Sequence, residues 1–384
     1  MSADFFRRTN RKIAGTFLTF AKRLFVFTGT AVFAVALTCV PAAAKTFNVF
    51  ILTGQSNSLG AIKGNDAYEE RMVPTPKKVR FWHGNFGSYC TGTSSVEWGR
   101  VEPQRESQTV MGPEYGFAQA FEADVADEVG FVPEDCGILK VARDGGGNSL
   151  WLAPDGDAFR QILVVAGRAF AALPKLGYDR VEVRALLYLQ GESDSPEEIP
   201  FAGTRVAALR ENLIRALAAK KIEGIETISS RRMILLVGEP ANFFGREARA
   251  ADGTTSQERL KKTAQNALRA AWIPTRDLPK ITHGDALGVH YNGNAQITIG
   301  RRFAEAFAKA YEELLADEAA DSARAAVSSA EEENSAGTEN SAGTENSGVG
   351  ATENSGGADS ENSFEETRET RSAGTAKFSS AAVR

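Results

Sequence analysis

Four short segments carry residue types able to do group-transfer chemistry. The first is Phe47-Asn48-Val49-Phe50-Ile51-Leu52-Thr53-Gly54-Gln55-Ser56-Asn57-Ser58-Leu59-Gly60, an apolar run of strand character that stops in a glycine and a serine. Open α/β sheets build their sites at the carboxyl ends of strands, and that is where this run leaves Ser56. Ser56 is a candidate nucleophile, and its backbone N–H faces a developing oxyanion if a helix starts just after it. Gly54 permits the tight turn. A plain Ser or Asn helix cap accounts for the same four residues, so the segment does not decide by itself.

The second segment, Lys140-Val141-Ala142-Arg143-Asp144-Gly145-Gly146-Gly147-Asn148-Ser149-Leu150-Trp151, follows another apolar run with consecutive glycines. Glycines bring backbone N–H groups close to a ligand, as an oxyanion hole requires. The Lys-Ser/Thr ending of a phosphate-cradling loop is missing, which argues against nucleotide binding. In the third, Leu186-Leu187-Tyr188-Leu189-Gln190-Gly191-Glu192-Ser193-Asp194, a strand ends in an amide and two carboxylates. Gln190 is a candidate oxyanion donor, and Glu192 or Asp194 can orient a histidine or cap the next segment. The fourth, Asp285-Ala286-Leu287-Gly288-Val289-His290-Tyr291-Asn292-Gly293, precedes a helical stretch. The chain has 3 histidines, His83, His283 and His290, so bases that titrate near neutrality are few, and His290 has the best context.

The elements that must position these groups follow from hydrophobic periodicity. Between about Thr46 and Ala316, short β-branched runs alternate with longer amphipathic stretches, the pattern of βαβ units around a parallel sheet. Strands are expected at Phe47 to Leu52, Val79 to Trp82, Gly137 to Ala142, Val181 to Leu189 and Met233 to Val237, with a short one near Lys280. Helices are expected at Pro113 to Val125, Ala158 to Ala172, Phe201 to Lys220, Ser256 to Trp272 and Ala295 to Leu315. In the third helix Val206, Leu209, Leu213, Ile214 and Leu217 recur at helical spacing, which marks a core face rather than a site.

Taken together and in this order, the four segments resemble the SGNH-hydrolase superfamily, and within it the sialate O-acetylesterase and acetylxylan esterase group, carbohydrate esterase family six. The likeness runs over residues 46 to 316 and rests on Gly54 to Asn57, Gly146-Gly147, Gln190 to Asp194 and the His290 segment, with Gly112-Pro113-Glu114 and Phe117-Ala118 also looking like that group. The resemblance implies a three-layer αβα fold with a flavodoxin-like parallel sheet, an acetylated carbohydrate as substrate, and no metal or organic cofactor. It makes Ser56 the nucleophile and His290 its base. The Ser56 N–H, a glycine of the Gly146-Gly147 pair and Gln190 become the oxyanion hole, and Asn148 a further polar contact to the intermediate. The acid departs from the superfamily pattern. An Asp is usual three residues before the histidine, where this chain has Leu287, and Asp285 lies five before. The alternatives are Asp285 on a remodelled loop, Glu192, or a backbone carbonyl. Two rival functions stand beside the esterase: an inactive domain of the same fold that binds polysaccharide, and an esterase of another acyl preference, which the lack of a long apolar lid segment disfavours. Trp82, Phe86, Tyr89, Trp98 and Trp151 can stack on sugar rings or fill the core.

The flanks have a different character. Basic residues from Arg7 to Arg23, an uncharged apolar stretch from Leu24 to Val40 and Ala42-Ala43-Ala44 read as an export signal over residues 1–44, with an uncleaved anchor as the alternative. Residues 45–328 form the expected esterase domain, exported to the periplasm or beyond. Residues 329–384 have little apolar area, with a short repeat, Glu-Asn-Ser-Ala-Gly-Thr, running through residues 333–344 and then decaying, and are expected to be disordered, a spacer or a tolerated tail. In an oxidising compartment Cys90 and Cys136 either pair or remain separate buried thiols. The net charge of −5 supplies no clustered cations for a phosphate backbone, which argues against nucleic acid, and no specific protein partner is indicated.

Overall fold

The computed structural model describes residues 44–62, 75–87, 94–105, 109–242, 248–282 and 288–339. Asp285, His283, Leu287, Tyr89, Cys90 and the expected signal up to residue 43 lie outside these residues. Two compact units divide the chain, residues 1–318 and 319–384.

Along the described residues the elements run β1 (Thr46–Gly54), α1 (Ser56–Leu59), β2 (Ala61–Ile62), β3 (Arg80–His83), β4 (Gly99–Arg100), β5 (Gln104–Arg105), β6 (Thr109–Met111), α2 (Glu114–Ala120) and α3 (Ala126–Glu128). They continue with β7 (Cys136–Ala142), α4 (Asp157–Ala171), β8 (Arg180–Leu189), α5 (Ala202–Ala218), β9 (Thr227–Ser229), β10 (Ile234–Gly238), α6 (Ser256–Asn266), β11 (Ala270–Ile273) and α7 (Gly293–Glu339). The main sheet has the order β11-β10-β8-β1-β7-β3-β4 with β9 beside β8, and every pair in it is parallel except β3 with β4.

β1 shows why its sequence is apolar throughout. Successive side chains point to opposite faces, and both faces are covered by helices. Phe50 and Leu52 pack with Phe117 and Phe121 from the α2 region and Phe303 and Phe307 of α7. Phe47, Val49 and Ile51 pack on the other side with Ile162 and Val165 of α4, Leu209 and Leu213 of α5, and Leu260 of α6. β1 also lies between β7 and β8, where the chain order across the sheet reverses, so the crevice at its carboxyl end is open for a site.

Several expected elements differ. The stretch Ser256 to Trp272, read as one helix, ends at Asn266 and resumes as β11, because Ala270–Ile273 pairs with Leu235–Gly238 along the sheet edge and pairing outweighs the helix propensity of its alanines. Arg269 takes a positive φ of 57° at the junction. The strand expected near Lys280 is a single bridge to Tyr291. Pro113 to Val125 is broken into α2 and a π-helical turn at Phe121–Val125. α7 runs to Glu339, so residues 329–339 are helical where disorder was expected; Ala and Glu dominate here, and Gly337 is the first glycine after Gly300. Cys136 is a free thiol, buried on β7, that donates to the Val132 carbonyl; burial pushes its pKa up to about 12. Among the described residues no helix is long and apolar enough to cross a membrane.

Candidate active site

Ser56 opens α1 directly after β1, and His290 lies on the segment leading into α7. The two meet at the carboxyl edge of the sheet, with Ser56 Oγ 2.7 Å from His290 Nε2. The turn is held from below. Ser58 Oγ donates to the carbonyls of Thr53 and Leu189, at 3.1 and 3.0 Å, and the Gln55 N–H donates to the same Leu189 carbonyl at 3.1 Å. Gly54 sits at φ +145°, and a Cβ there would overlap Leu189 O and Ser58 Oγ. The Ser56 N–H, first in its helix, donates to nothing among the described residues, so it is open to a ligand.

His290 is placed by its neighbours. Its carbonyl accepts from Ile281 N–H at 2.8 Å, and two residues on Asn292 caps α7, its side-chain oxygen accepting from Ala295 N–H at 2.9 Å. Burial lowers the His290 pKa below its ordinary value, which keeps the imidazole neutral and able to accept a proton.

No carboxylate of the described residues reaches the imidazole. Glu192, one of the two expected acids, has its Oε1 on Asn57 Nδ2 at 2.8 Å and on Ala241 N–H at 3.1 Å, and its Oε2 is buried without a partner among the described residues. Burial raises the Glu192 pKa, opposed by the Asn57 hydrogen bond. Asp285, the other expected acid, is outside the described residues.

The glycine loop and Gln190 are tied together, but not as an oxyanion hole needs Gln190. Both hydrogens of its Nε2 are used, on Gly146 O at 3.3 Å and Asp194 Oδ1 at 2.6 Å, while Tyr188 OH donates to its Oε1 at 2.6 Å. The expectation that Gln190 donates to the intermediate is therefore corrected: Gln190 holds the loop. Asp194 holds the same loop through Asn148 N–H at 2.8 Å and is itself anchored by Ser256 Oγ of α6 at 2.6 Å; burial raises its pKa against these bonds. Asn148, expected on the substrate, is 1% exposed and bonds with Nδ2 to Glu198 O and with Oδ1 to Arg205, so its polar atoms serve the protein. Gly146, at φ +99°, keeps its N–H free of partners among the described residues. The described aromatic residues suggested for sugar stacking divide likewise: Trp82, Trp98 and Trp151 are buried in the core, and Phe86 is partly open, beside Arg143. His83 is stacked on Phe81 in β3, and burial lowers its pKa to about 4.

Sequence reasoning included Gln55 and Asn57 in the Gly54 to Asn57 motif but gave neither a role of its own, and Asn57 could pass for a helix cap. Gln55 Oε1 accepts from Ser193 N–H at 3.3 Å and its Nε2 donates to Ser193 Oγ at 3.2 Å, fastening the turn of Ser56 to the segment after β8. Gln55 and Asn57 are both buried and so need hydrogen-bond partners, but in the polar run from Gln55 to Ser58 after β1 the sequence does not show it.

The profile of the family described as carbohydrate esterase, sialic acid-specific acetylesterase, matches residues 46–309. No curated protein matches the chain. Among solved structures, one from Arabidopsis thaliana is similar at 17% identity and a TM-score of 0.44, covering 68% of this chain and 97% of that one. Est24, a carbohydrate acetylesterase from Sinorhizobium meliloti, is similar at 14% identity and a TM-score of 0.31, covering 67% of this chain and 97% of that one. A carbohydrate acetylesterase from Xanthomonas citri is similar at 15% identity and a TM-score of 0.37, covering 67% of this chain and 55% of that one.

Proposed function

We propose that this chain, which belongs to the carbohydrate esterase, sialic acid-specific acetylesterase family, hydrolyses acetyl esters on sugars, xylan-like or sialate-like, through a Ser56–His290 pair. The observation that carries the mechanism is the 2.7 Å separation of Ser56 Oγ and His290 Nε2. His290 takes the Ser56 proton as Oγ attacks the acetyl carbonyl. The N–H groups of Ser56 and Gly146 face the oxyanion, and collapse expels the sugar hydroxyl, which receives the proton from His290. Water, deprotonated by His290, then attacks the acetyl-enzyme, releases acetate and restores Ser56. Every step uses groups of this chain and water. The apolar stretch from Leu24 to Val40 ahead of Ala42-Ala43-Ala44 supports export to the compartment where such polysaccharides lie.

The test is acetate release by the full chain from a soluble aryl acetate, from acetylated xylan and from O-acetylated sialic acid. Ser56→Ala should lower release by about 10³-fold or more with the thermal transition unchanged. Equal release by the wild type and Ser56→Ala would refute the mechanism. No release by folded wild type from any of the three would favour a polysaccharide-binding domain, a reading whose support is Leu287 in the place where the superfamily usually has its acid.

A further inference from the structure

Asn57 follows Ser56 in the chain and is 0% exposed. Its amide has three partners. Nδ2 donates to Glu192 Oε1 at 2.8 Å and to Val289 O at 3.3 Å, and Oδ1 accepts from Tyr291 N–H at 3.2 Å. The partners fix which end is which, because a backbone N–H can only donate while a carbonyl and a carboxylate can only accept. Val289 and Tyr291 flank His290, so one side chain grips the backbone on both sides of the imidazole that meets Ser56.

Resting on the Ser56–His290 reading above, we propose that Asn57 is the positioning residue that sets His290 against Ser56, and that Glu192 acts on His290 through Asn57 rather than by touching it. Glu192 Oε1 is itself anchored by Ala241 N–H at 3.1 Å, which ties the grip to the segment after β10. What Asn57 requires at that point is a correctly placed acceptor. A glutamine carbonyl supplies one as well as a carboxylate does. The carboxylate's second oxygen, Oε2, is buried and makes no hydrogen bond among the described residues, so its negative charge has no imidazole partner there to stabilise. A carboxylate acting as the triad acid would instead lie on the far nitrogen of the ring and hold its tautomer by charge.

The two routes make opposite statements about Glu192→Gln. Steady-state kinetics of the full chain on an aryl acetate, with thermal transitions measured alongside, compare Asn57→Ala, Glu192→Ala, Glu192→Gln and Asn57→Ala/Glu192→Ala, with Ser56→Ala as control. Loss of a positioning contact should lower kcat by about 100-fold for Asn57→Ala and for Glu192→Ala, with KM within about threefold. The double variant should fall no further than the lower single, within about threefold, because both act along one path. Glu192→Gln should stay within about tenfold of wild type. A role confined to folding would move the thermal transition and leave the kcat of the folded fraction unchanged.

Wild-type kcat in Asn57→Ala, additive losses in the double variant, or Glu192→Gln falling as far as Glu192→Ala would each overturn the proposal. If Asn57→Ala does not fold, the comparison of Glu192→Gln with Glu192→Ala decides it alone. Activity retained by Ser56→Ala would instead overturn the reading of the site beneath it, whatever the Asn57 variants do.

Discussion

Removing the charge of Lys140 should destabilise the domain far more than a surface lysine would. Lys140 and Glu114 are both fully buried, with Nζ 2.8 Å from Glu114 Oε2. The ammonium also donates to Leu59 O and Gln104 Oε1, each at 2.7 Å. Glu114 Oε1 accepts from Gly112 N–H at 2.8 Å and Gln104 Nε2 at 2.9 Å. In Lys140→Met the carboxylate stays buried without its counter-charge, a change that costs about 3–5 kcal/mol. At about 2–4 °C per kcal/mol for a domain of this size, the thermal transition should fall by roughly 10 °C. Lys140→Met/Glu114→Gln removes both charges and keeps the acceptor facing Gly112 and Gln104. It leaves Leu59 O and Gln104 Oε1 short of a donor, a loss of about 1–3 kcal/mol. Urea unfolding followed by tryptophan fluorescence gives the four free energies of the cycle. A Lys140→Met cost under about 1 kcal/mol, or single-variant costs that add to the double within about 0.5 kcal/mol, would refute the reasoning.

Two further outcomes follow from the turn and the base. Gly54→Ala forces a side chain into the Leu189 carbonyl and Ser58 Oγ at a φ of +145°, so it should abolish acetate release and lower the thermal transition, whereas an unchanged transition would mean the turn accommodates a Cβ. Burial holds the His290 pKa below its ordinary 6.5; the neutral base therefore persists to lower pH, and the acid limb of kcat/KM should fall below pH 6.5, a limb at or above 6.5 counting against a buried base.

The sequence announced the ends of strands more clearly than the bonds made there. Ser56 and Gly146 follow apolar runs that are buried on both faces, and such runs are legible because period and length coincide with a covered parallel strand. The strand Ala270–Ile273 was hidden because its local preference is helical and only the neighbouring β10 makes it extended. The length of α7 was hidden for the opposite reason: from Leu315 to Ser329 its residues are mostly exposed, so no apolar stripe marks the continuing helix there.

The amides explain why the site was only half readable. Gln190, Asn148 and Asn57 each carry a donor and an acceptor, and nothing in their order along the chain says which groups will claim them. Asp194, lying four residues beyond Gln190, takes one hydrogen of Gln190, while Glu198 O and Arg205 take the side-chain amide of Asn148, so both amides are bonded within the protein. Asn57 carries the reverse lesson, since a residue that passes for a helix cap reaches across to both neighbours of His290, far along the chain. A buried amide must satisfy its hydrogen bonds before it can serve a ligand. Among the described residues, the groups without a partner near Ser56 include backbone N–H groups rather than these amides: the first N–H of α1 at Ser56, which no helix turn precedes, and the Gly146 N–H.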